Sequence, residues 1–251
     1  MVERKVLMIG RHGLHESLPG DAEGGPSLTR KSIETMCRLA YDALNSFIIN
    51  QVAQPQKAFV VHSPKKRAKY TGLSHITGAY GVRLTELSHR GLEEACRSHI
   101  PEVEVAVDPR LYFGDMEFNN DAYAREGDAV YVPRWIGDPS ATSYDGVPIT
   151  SFDEAVRRKS PCLVEALQCL AQGGKKLGVL ATHSGVIEPL LVAAINSGRS
   201  TPVNRVEDIG GLVAKEQFAL VYLDGTPAGD YTAKLVRDGQ EYPINLDRLS
   251  Q

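Results

Sequence analysis

Residues 5–13 read KVLMIGRHG, a short apolar run that ends directly in Arg11 and His12. The pattern returns at residues 176–185, where the run KLGVLAT leads into His183. Short apolar runs bounded by glycine are typical of parallel strands that are buried on both faces. Each histidine therefore follows the carboxyl end of a predicted strand. Because open α/β sheets bind ligands at that edge, we expect the two histidines to share one site.

A third apolar run supplies a second arginine at the same predicted edge. Residues 58–61 read AFVV, and the segment HSPKKRAKYT that follows them contains Arg67. Parallel strands bring their carboxyl ends to one side of a sheet. The predicted site therefore combines two arginines and two histidines from segments that are remote in the sequence.

Predicted helices alternate with these strands. Apolar side chains recur at helical spacing over residues 27–50, with Ser27 or Thr29 as the cap, and again over 152–171. Two later runs within 218–236 predict a terminal hairpin at the sheet edge. The order predicts an α/β fold with a doubly wound, mostly parallel sheet flanked by helices.

The stretch 82–150 does not follow this alternation. It is richer in glycine, proline and charge, and it contains Trp135, the single tryptophan. We expect it to be an insertion that folds over the strand ends as a substrate lid. The whole chain, 1–251, is compatible with one domain that carries this insertion.

Composition restricts the classes of partner. The chain is 42% apolar, and its 28 basic and 31 acidic residues give a formal charge of −3. No global basic field favours nucleic acid or an anionic membrane. The sequence shows neither a signal-peptide layout nor an apolar run of membrane-spanning length, which favours a cytoplasmic protein. The four cysteines lack Cys-x-x-Cys spacing and are expected to be buried thiols; the oligomeric state stays open.

Four segments, in this order, resemble the histidine phosphatase superfamily, which includes the cofactor-dependent phosphoglycerate mutases. They are the triplet 11–13 (RHG), the Ser-Leu-Thr turn 27–29, the segment 63–71 of the form Ser-x-x-x-Arg-Ala-x-x-Thr, and 182–187 (THSGVI). A lone triplet is a weak signal, whereas four ordered segments in plausible structural contexts are a strong one. The resemblance covers roughly 5–197 and is poor between 82 and 151.

The resemblance implies phosphoryl transfer, and the residue types suit that chemistry. Arg11 and Arg67 can each present a planar fork to two phosphate oxygens. The resemblance selects His12 as the nucleophile that becomes a phosphohistidine, and His183 as a protonated donor to the phosphoryl oxygens.

Backbone N–H groups after Gly13 and Gly185, near helix starts, are expected to extend the phosphate cradle, and Ser184 is counted among the phosphate-binding residues. Neither a metal nor a cofactor is required. The string His12-x-x-His15-Glu16 suggests metal ligands, but a loop after a strand is the wrong context for a helical zinc motif.

The general acid is ambiguous in the sequence. In the superfamily a glutamate follows an Arg-Leu-x pattern, and Glu86 in Arg-Leu-Thr-Glu has that form. If residues 82–101 are an inserted helix, Asp115 or Glu117 takes the role instead. The acid needs a pKa raised by burial to donate a proton near neutrality.

Three functions fit these residues. The pattern of Ser and Asn residues that the mutases place shortly after the first histidine is not kept, since these positions hold Leu14, His15, Ser17 and Leu18. This favours transfer to water, and thus a phosphatase over a phosphoglycerate mutase-type transferase. An inactive protein that binds phosphorylated ligands is the third reading, and the intact Arg11, His12, Arg67 and His183 speak against it. The substrate stays open between a small phosphorylated molecule and a phosphoprotein.

Overall fold

The computed structural model describes residues 3–16, 27–49, 57–100, 102–113, 118–225 and 230–250. Within these ranges a seven-stranded sheet forms the centre of the molecule. In spatial order its strands are β11 (Gln240–Ile244), β10 (Tyr231–Arg237), β9 (Phe218–Gly225), β1 (Arg4–Arg11), β8 (Leu177–Thr182), β4 (Lys57–His62) and β5 (Glu102–Val107). The strands β1, β8, β4 and β5 are parallel, and β9 to β11 continue the sheet as an antiparallel meander.

Helices cover both faces of the sheet. The bounds are α1 (Arg30–Ile49), α2 (Lys66–Ala79), α3 (His89–His99), α4 (Asn120–Glu126), α5 (Asp128–Gly137), α6 (Phe152–Gln172), α7 (Ile187–Gly198) and α8 (Leu246–Leu249). Two single 3₁₀ turns lie at Pro109–Leu111 and Val206–Ile209. Two further sheets have two antiparallel strands each, β2 (His15–Glu16) with β3 (Ser27–Leu28), and β6 (Ser143–Tyr144) with β7 (Val147–Pro148). This is the α/β class that the sequence predicts.

Strand β1 contributes side chains to two hydrophobic cores, one on each face of the sheet. Val6 and Met8 point to the layer of α1, α2 and α3, whereas Leu7 and Ile9 point to the layer of α5, α6 and α7. All four side chains are fully buried. A strand that is buried on both faces has no polar side to alternate with, which explains its continuous apolar sequence.

The parallel strands end at the same level. Arg11 is paired with Thr182 across β1 and β8, and His62 is paired with Ala181 across β4 and β8. The backbone N–H of His12 also donates to the carbonyl of Thr182 at 3.0 Å. The register therefore brings the segments after three strands to one edge, as predicted.

The prediction that residues 82–150 form a lid is wrong for the first part of that range, which contains α3 and β5. Within the range 82–150, helix α3 packs on α2, and β5 pairs with β4 as the outer strand of the sheet. Because β5 lies at the edge, Val105 and Val107 are largely exposed, and charged residues alternate with the valines. Two later residues of the range contact the strand ends, because the Thr182 hydroxyl donates to the carbonyl of Leu111 at 2.7 Å and Arg11 donates to the carboxylate of Asp128.

Three smaller predictions also change. Ser27 lies in β3, and Thr29 is the residue whose hydroxyl accepts from the Ser32 N–H at 3.1 Å at the start of α1. The terminal hairpin is confirmed as β9 and β10, but the strand β11 extends it. All four cysteines are free thiols, of which Cys37 and Cys169 are only partly buried.

None of the helices in the described part of the chain combines the length and the apolar character of a membrane span.

Candidate active site

A cavity of about 270 Å³ opens at the carboxyl edge of β1, β4 and β8. It brings together four of the residues that the sequence assigns to catalysis, namely Arg11, His12, Arg67 and His183. The rings of His12 and His183 meet at an angle of 60°, with their centroids 4.8 Å apart. Ser184 also lines the cavity. The predicted convergence of segments remote in sequence is therefore present in the structure.

The ring of His12 is oriented by its own neighbour. Nδ1 donates to the carbonyl of Gly13 at 2.9 Å, and a carbonyl can only accept. This bond assigns the proton to Nδ1 and leaves a lone pair on Nε2. Burial, together with the charges of Arg67 and Arg11, outweighs the effect of the Gly13 carbonyl and lowers the pKa of His12 to about 3. The imidazole is therefore neutral near pH 7, the form that acts as a nucleophile.

His183 lies deeper than the sequence suggests. It is almost fully buried, and Nε2 shares a hydrogen bond of 2.6 Å with the hydroxyl of Ser63. Burial lowers the pKa of His183 well below its usual value, and the positive charges of Arg67, Lys65 and Arg11 add to this effect. In the protein alone His183 is therefore neutral near pH 7, which differs from the protonated donor expected from the sequence.

The two arginines differ in how they are held. Arg11 is 4% exposed; Nη1 donates to the carbonyl of Val213 at 2.9 Å, and Nη2 donates to the carboxylate of Asp128. Arg67 is partly buried, and burial lowers its pKa. The Nε–H groups of both arginines are buried without a hydrogen-bond partner among the described residues. Two buried N–H donors at one cavity suit an anion that accepts from both.

The loop after β8 requires a glycine. Gly185 has a φ of +76°, and a Cβ atom there would lie 2.4 Å from Cζ of Phe113. Its N–H donates to the carboxyl of Glu188, which lies in the first turn of α7. Burial raises the pKa of Glu188 to about 7. The loop precedes a helix N-terminus, a position that favours anions.

Gly13 and the candidate acids lie elsewhere. Gly13 is buried and does not line the cavity; it acts on the site through the carbonyl that orients His12. Glu86 is exposed in the loop before α3 and does not line the cavity either. Asp115 and Glu117 lie outside the described residues. The assignment of Glu86 as the general acid stays a prediction.

The sequence does not predict which further side chains line the cavity. Four aromatic side chains and three polar ones complete the lining, namely Tyr112, Phe113, Phe118, Tyr123, His15, Asn120 and Lys215. Phe113 and Phe118 are stacked, with centroids 4.5 Å apart. The concentration of aromatic residues between 112 and 123 is the signal that points to this aromatic wall in retrospect. Among the described residues, no group of three or more His, Cys, Asp or Glu side chains is suited to hold a metal ion.

Comparisons with known proteins identify the fold. No protein-family model matches the sequence, and no curated protein matches it. A solved structure described as mycobacterial hydrolase 2 has a TM-score of 0.55 and 17% identity, over 100% of this chain and 96% of that chain. A mycobacterial glucosyl-3-phosphoglycerate phosphatase has a TM-score of 0.53 and 16% identity, over 92% of this chain and 97% of that chain.

The same phosphatase in complex with inorganic phosphate has a TM-score of 0.52 and 17% identity, over 94% of this chain and 97% of that chain. The chain therefore shares the α/β fold of these solved structures. Likeness at this level of identity concerns the fold, and the activity has to be argued from the site.

Proposed function

We propose that the protein is a phosphatase that hydrolyses a phosphate monoester through a phosphohistidine at His12. The observation that carries the proposal is the cavity in which a neutral His12, with Nε2 free of a proton, lies beside His183 and two arginines. The likeness in fold to a phosphatase that has been solved with inorganic phosphate supports it. A phosphoglycerate mutase or an inactive phospho-ligand binding protein are the alternatives.

The reaction takes place in two displacements. First, Nε2 of His12 forms a bond to phosphorus while the bond from phosphorus to the ester oxygen breaks, and a general acid protonates the departing oxygen. Then water attacks the phosphohistidine, its proton is taken up by a base, and the bond from phosphorus to Nε2 breaks. The products are an alcohol and inorganic phosphate. The general acid is one of the three residues that the sequence offers, Glu86, Asp115 or Glu117, of which Glu86 is exposed and does not line the described cavity.

The arginines hold the phosphoryl group during both displacements. The buried Nε–H groups of Arg11 and Arg67 have no partner among the described residues and would donate to phosphoryl oxygens. A phosphate ester brings about two negative charges next to His183, and an opposite charge at this distance favours the protonated imidazole. Substrate binding would therefore give His183 the proton with which it donates to the phosphoryl group.

The cavity also limits the organic part of the ester. Its volume of about 270 Å³ is near the lower end of the range for small-molecule pockets, which favours a small phosphorylated molecule over a phosphoprotein. The aromatic wall and Lys215 would contact the part of the substrate beyond the phosphate. No acidic side chain is among the described residues that line this cavity, which suits an anionic ester.

Phosphate release from small monoesters tests the proposal. Wild-type protein is expected to release phosphate and to carry acid-labile, base-stable phosphate when the reaction is stopped rapidly, because phosphohistidine has this stability. His12→Ala is expected to show neither, whereas His99→Ala, a change at an exposed histidine of α3, should show both. Isomerisation of a phosphoglycerate without release would favour a mutase, and phosphate binding without turnover would favour the inactive protein.

A further inference from the structure

We propose that Asp128 is a positioning residue of the phosphate site, because its carboxylate joins the guanidinium of Arg11 to the phenol of Tyr123. This proposal rests on the proposed function, since it assumes that Arg11 binds the phosphoryl group. It concerns a contact between the cover, which we define as α4 and α5 (residues 120–137), and the edge of the central sheet. Neither Asp128 nor Tyr123 is indicated by the sequence motifs.

The geometry places the carboxylate between two groups of the site. Its Oδ2 accepts from Nη2 of Arg11, and its Oδ1 accepts from the hydroxyl of Tyr123. Both of these donors line the cavity, whereas Asp128 itself does not. Asp128 therefore acts on a ligand through its partners rather than by contact.

The charge of Asp128 is stabilised where it lies. Burial raises the pKa of Asp128, but the hydrogen bonds from Tyr123 and Arg11 and the charge of Arg11 outweigh this effect and lower it. The residue is also the first of α5, where the helix dipole favours a negative charge. The carboxylate is thus ionised near pH 7 and forms a charge-assisted bond to Arg11, which is stronger than a neutral one.

Arg11 is oriented by this bond. Nη1 is held by the carbonyl of Val213 and Nη2 by Asp128, so two of the three guanidinium nitrogens are fixed. A planar group that is fixed at two nitrogens has one orientation, and the third nitrogen, Nε, is the one without a partner among the described residues. Without the Asp128 contact, the guanidinium plane of Arg11 would be free to rotate about the hydrogen bond from Nη1 to the Val213 carbonyl.

Tyr123, the other hydrogen-bond partner of Asp128, is held by packed aromatic side chains. Phe118 packs against Tyr123 and Tyr131, with centroid distances of 5.0 and 4.3 Å, and the Tyr131 hydroxyl accepts from the backbone N–H of Asn119 at 3.0 Å. The amide of Asn119 donates in turn to the carbonyl of Tyr144 at 3.0 Å. The tyrosines of the cover therefore pack with Phe118 and Tyr144 in one aromatic cluster, and Asp128 fixes the aromatic wall of the cavity relative to the arginine.

The Asp128→Asn substitution separates a positioning role from a purely electrostatic one, because the two predict opposite changes in phosphate affinity. Asp128→Asn removes a negative charge close to an anion site, and by charge alone this should strengthen phosphate binding. If Asp128 positions Arg11, the same change should weaken it, because the guanidinium loses a charge-assisted bond and its fixed plane. A role confined to stability would lower the melting temperature and leave the affinity of the folded protein unchanged.

The test measures the Kd of inorganic phosphate by calorimetry, together with kcat and KM for a small aryl phosphate. For Asp128→Asn we expect phosphate affinity and kcat/KM to fall at least about tenfold, the size of one well-placed charged hydrogen bond. Asp128→Ser, which keeps a residue type suited to a helix start, is expected to do the same and serves if the asparagine variant does not fold. The matched control is Asp121→Asn, an exposed aspartate in the first turn of α4, which should stay within about twofold.

Unchanged or tighter phosphate binding in a folded Asp128 variant would overturn the proposal. The outcome is separable from that of the proposed function, because phosphate binding needs no turnover. Wild-type protein that binds phosphate but hydrolyses no ester would contradict the phosphatase and leave the role of Asp128 open to the same measurement. Wild-type hydrolysis with an unaffected Asp128→Asn variant would contradict only the role of Asp128.

Discussion

The buried carboxyl of Glu188 makes the stability of the protein depend on pH in a way that one substitution removes. Glu188 is fully buried in α7, where one oxygen accepts from the Gly185 N–H and the other has no partner among the described residues. The charged groups that act on it are Arg11 of β1, Asp128 of α5 and Arg237 of β10. Burial dominates and raises the pKa of Glu188 from 4.5 to about 7.

The direction of this pH dependence follows from the number of protons that the carboxyl binds in the folded and in the unfolded state. Between pH 4.5 and about 7 the carboxyl is ionised in the unfolded chain but still protonated in the folded protein. The folded state then holds more protons, so the free energy of unfolding decreases as the pH rises through this window and is constant above it. At about 1.4 kcal/mol for each pH unit, ionisation of this group costs the folded state roughly 3 kcal/mol by pH 8.

Glu188→Gln removes this cost, because glutamine keeps the acceptor for Gly185 and cannot ionise. We expect the stability of the variant relative to wild type to increase by about 2–3 kcal/mol between pH 5 and pH 8. Urea unfolding at the two pH values measures it, with Glu94→Gln, a change at an exposed glutamate of α3, as the control whose difference from wild type should not depend on pH. The reasoning fails if Glu188→Gln differs from wild type by the same amount at both pH values.

Three further predictions follow from the site and the core. Arg67→Lys keeps the charge but loses the planar fork, so kcat/KM should fall at least about tenfold; an unchanged value would show that Arg67 does not bind the phosphoryl group. Glu86→Gln should slow the hydrolysis of an alkyl phosphate far more than that of an aryl phosphate, because a poor leaving group needs the proton; the same selective loss in Asp115→Asn or Glu117→Gln instead would move the role there. Gly78→Ala should destabilise the protein by about 2 kcal/mol or more in urea, because a Cβ would lie 2.1 Å from the carbonyl oxygen of Cys37, whereas Gly137→Ala, with nothing within 4 Å, should cost little.

The sequence predicts the strands that are buried on both faces, because that burial leaves a local mark. β1, β4 and β8 read as continuous apolar runs, and the residue after each run is then placed by the parallel register alone. The edge strands carry a weaker mark. β5 alternates glutamate with valine, and β11 contains Pro243, which is tolerated at a sheet edge but weakens a strand prediction.

The electrostatics of the site could not be predicted in the same way. Asp128 lies 117 residues from Arg11, and their contact exists only because the aromatic cover packs on the strand ends. The low pKa of His183 and the high pKa of Glu188 arise from burial, which a motif does not encode. A motif identifies which residues meet, whereas their protonation depends on everything that surrounds them.

The two arginines at the strand edge disfavour the protonated form of the histidines, whereas they favour the binding of a phosphate group. Burial, together with the charges of Arg11 and Arg67, lowers the pKa of both His12 and His183 in the protein alone, so the nucleophile is unprotonated near pH 7. The same two charges attract a phosphate dianion, and the dianion in turn opposes their effect on the histidine that it contacts. Nδ1 of His12 is already committed to the Gly13 carbonyl and its Nε2 faces phosphorus in the proposed reaction, so the proton taken up on binding belongs on His183. Both histidines are neutral in the protein alone. Phosphate binding would protonate His183 and leave Nε2 of His12 unprotonated, so that His183 acts as the donor and His12 as the nucleophile.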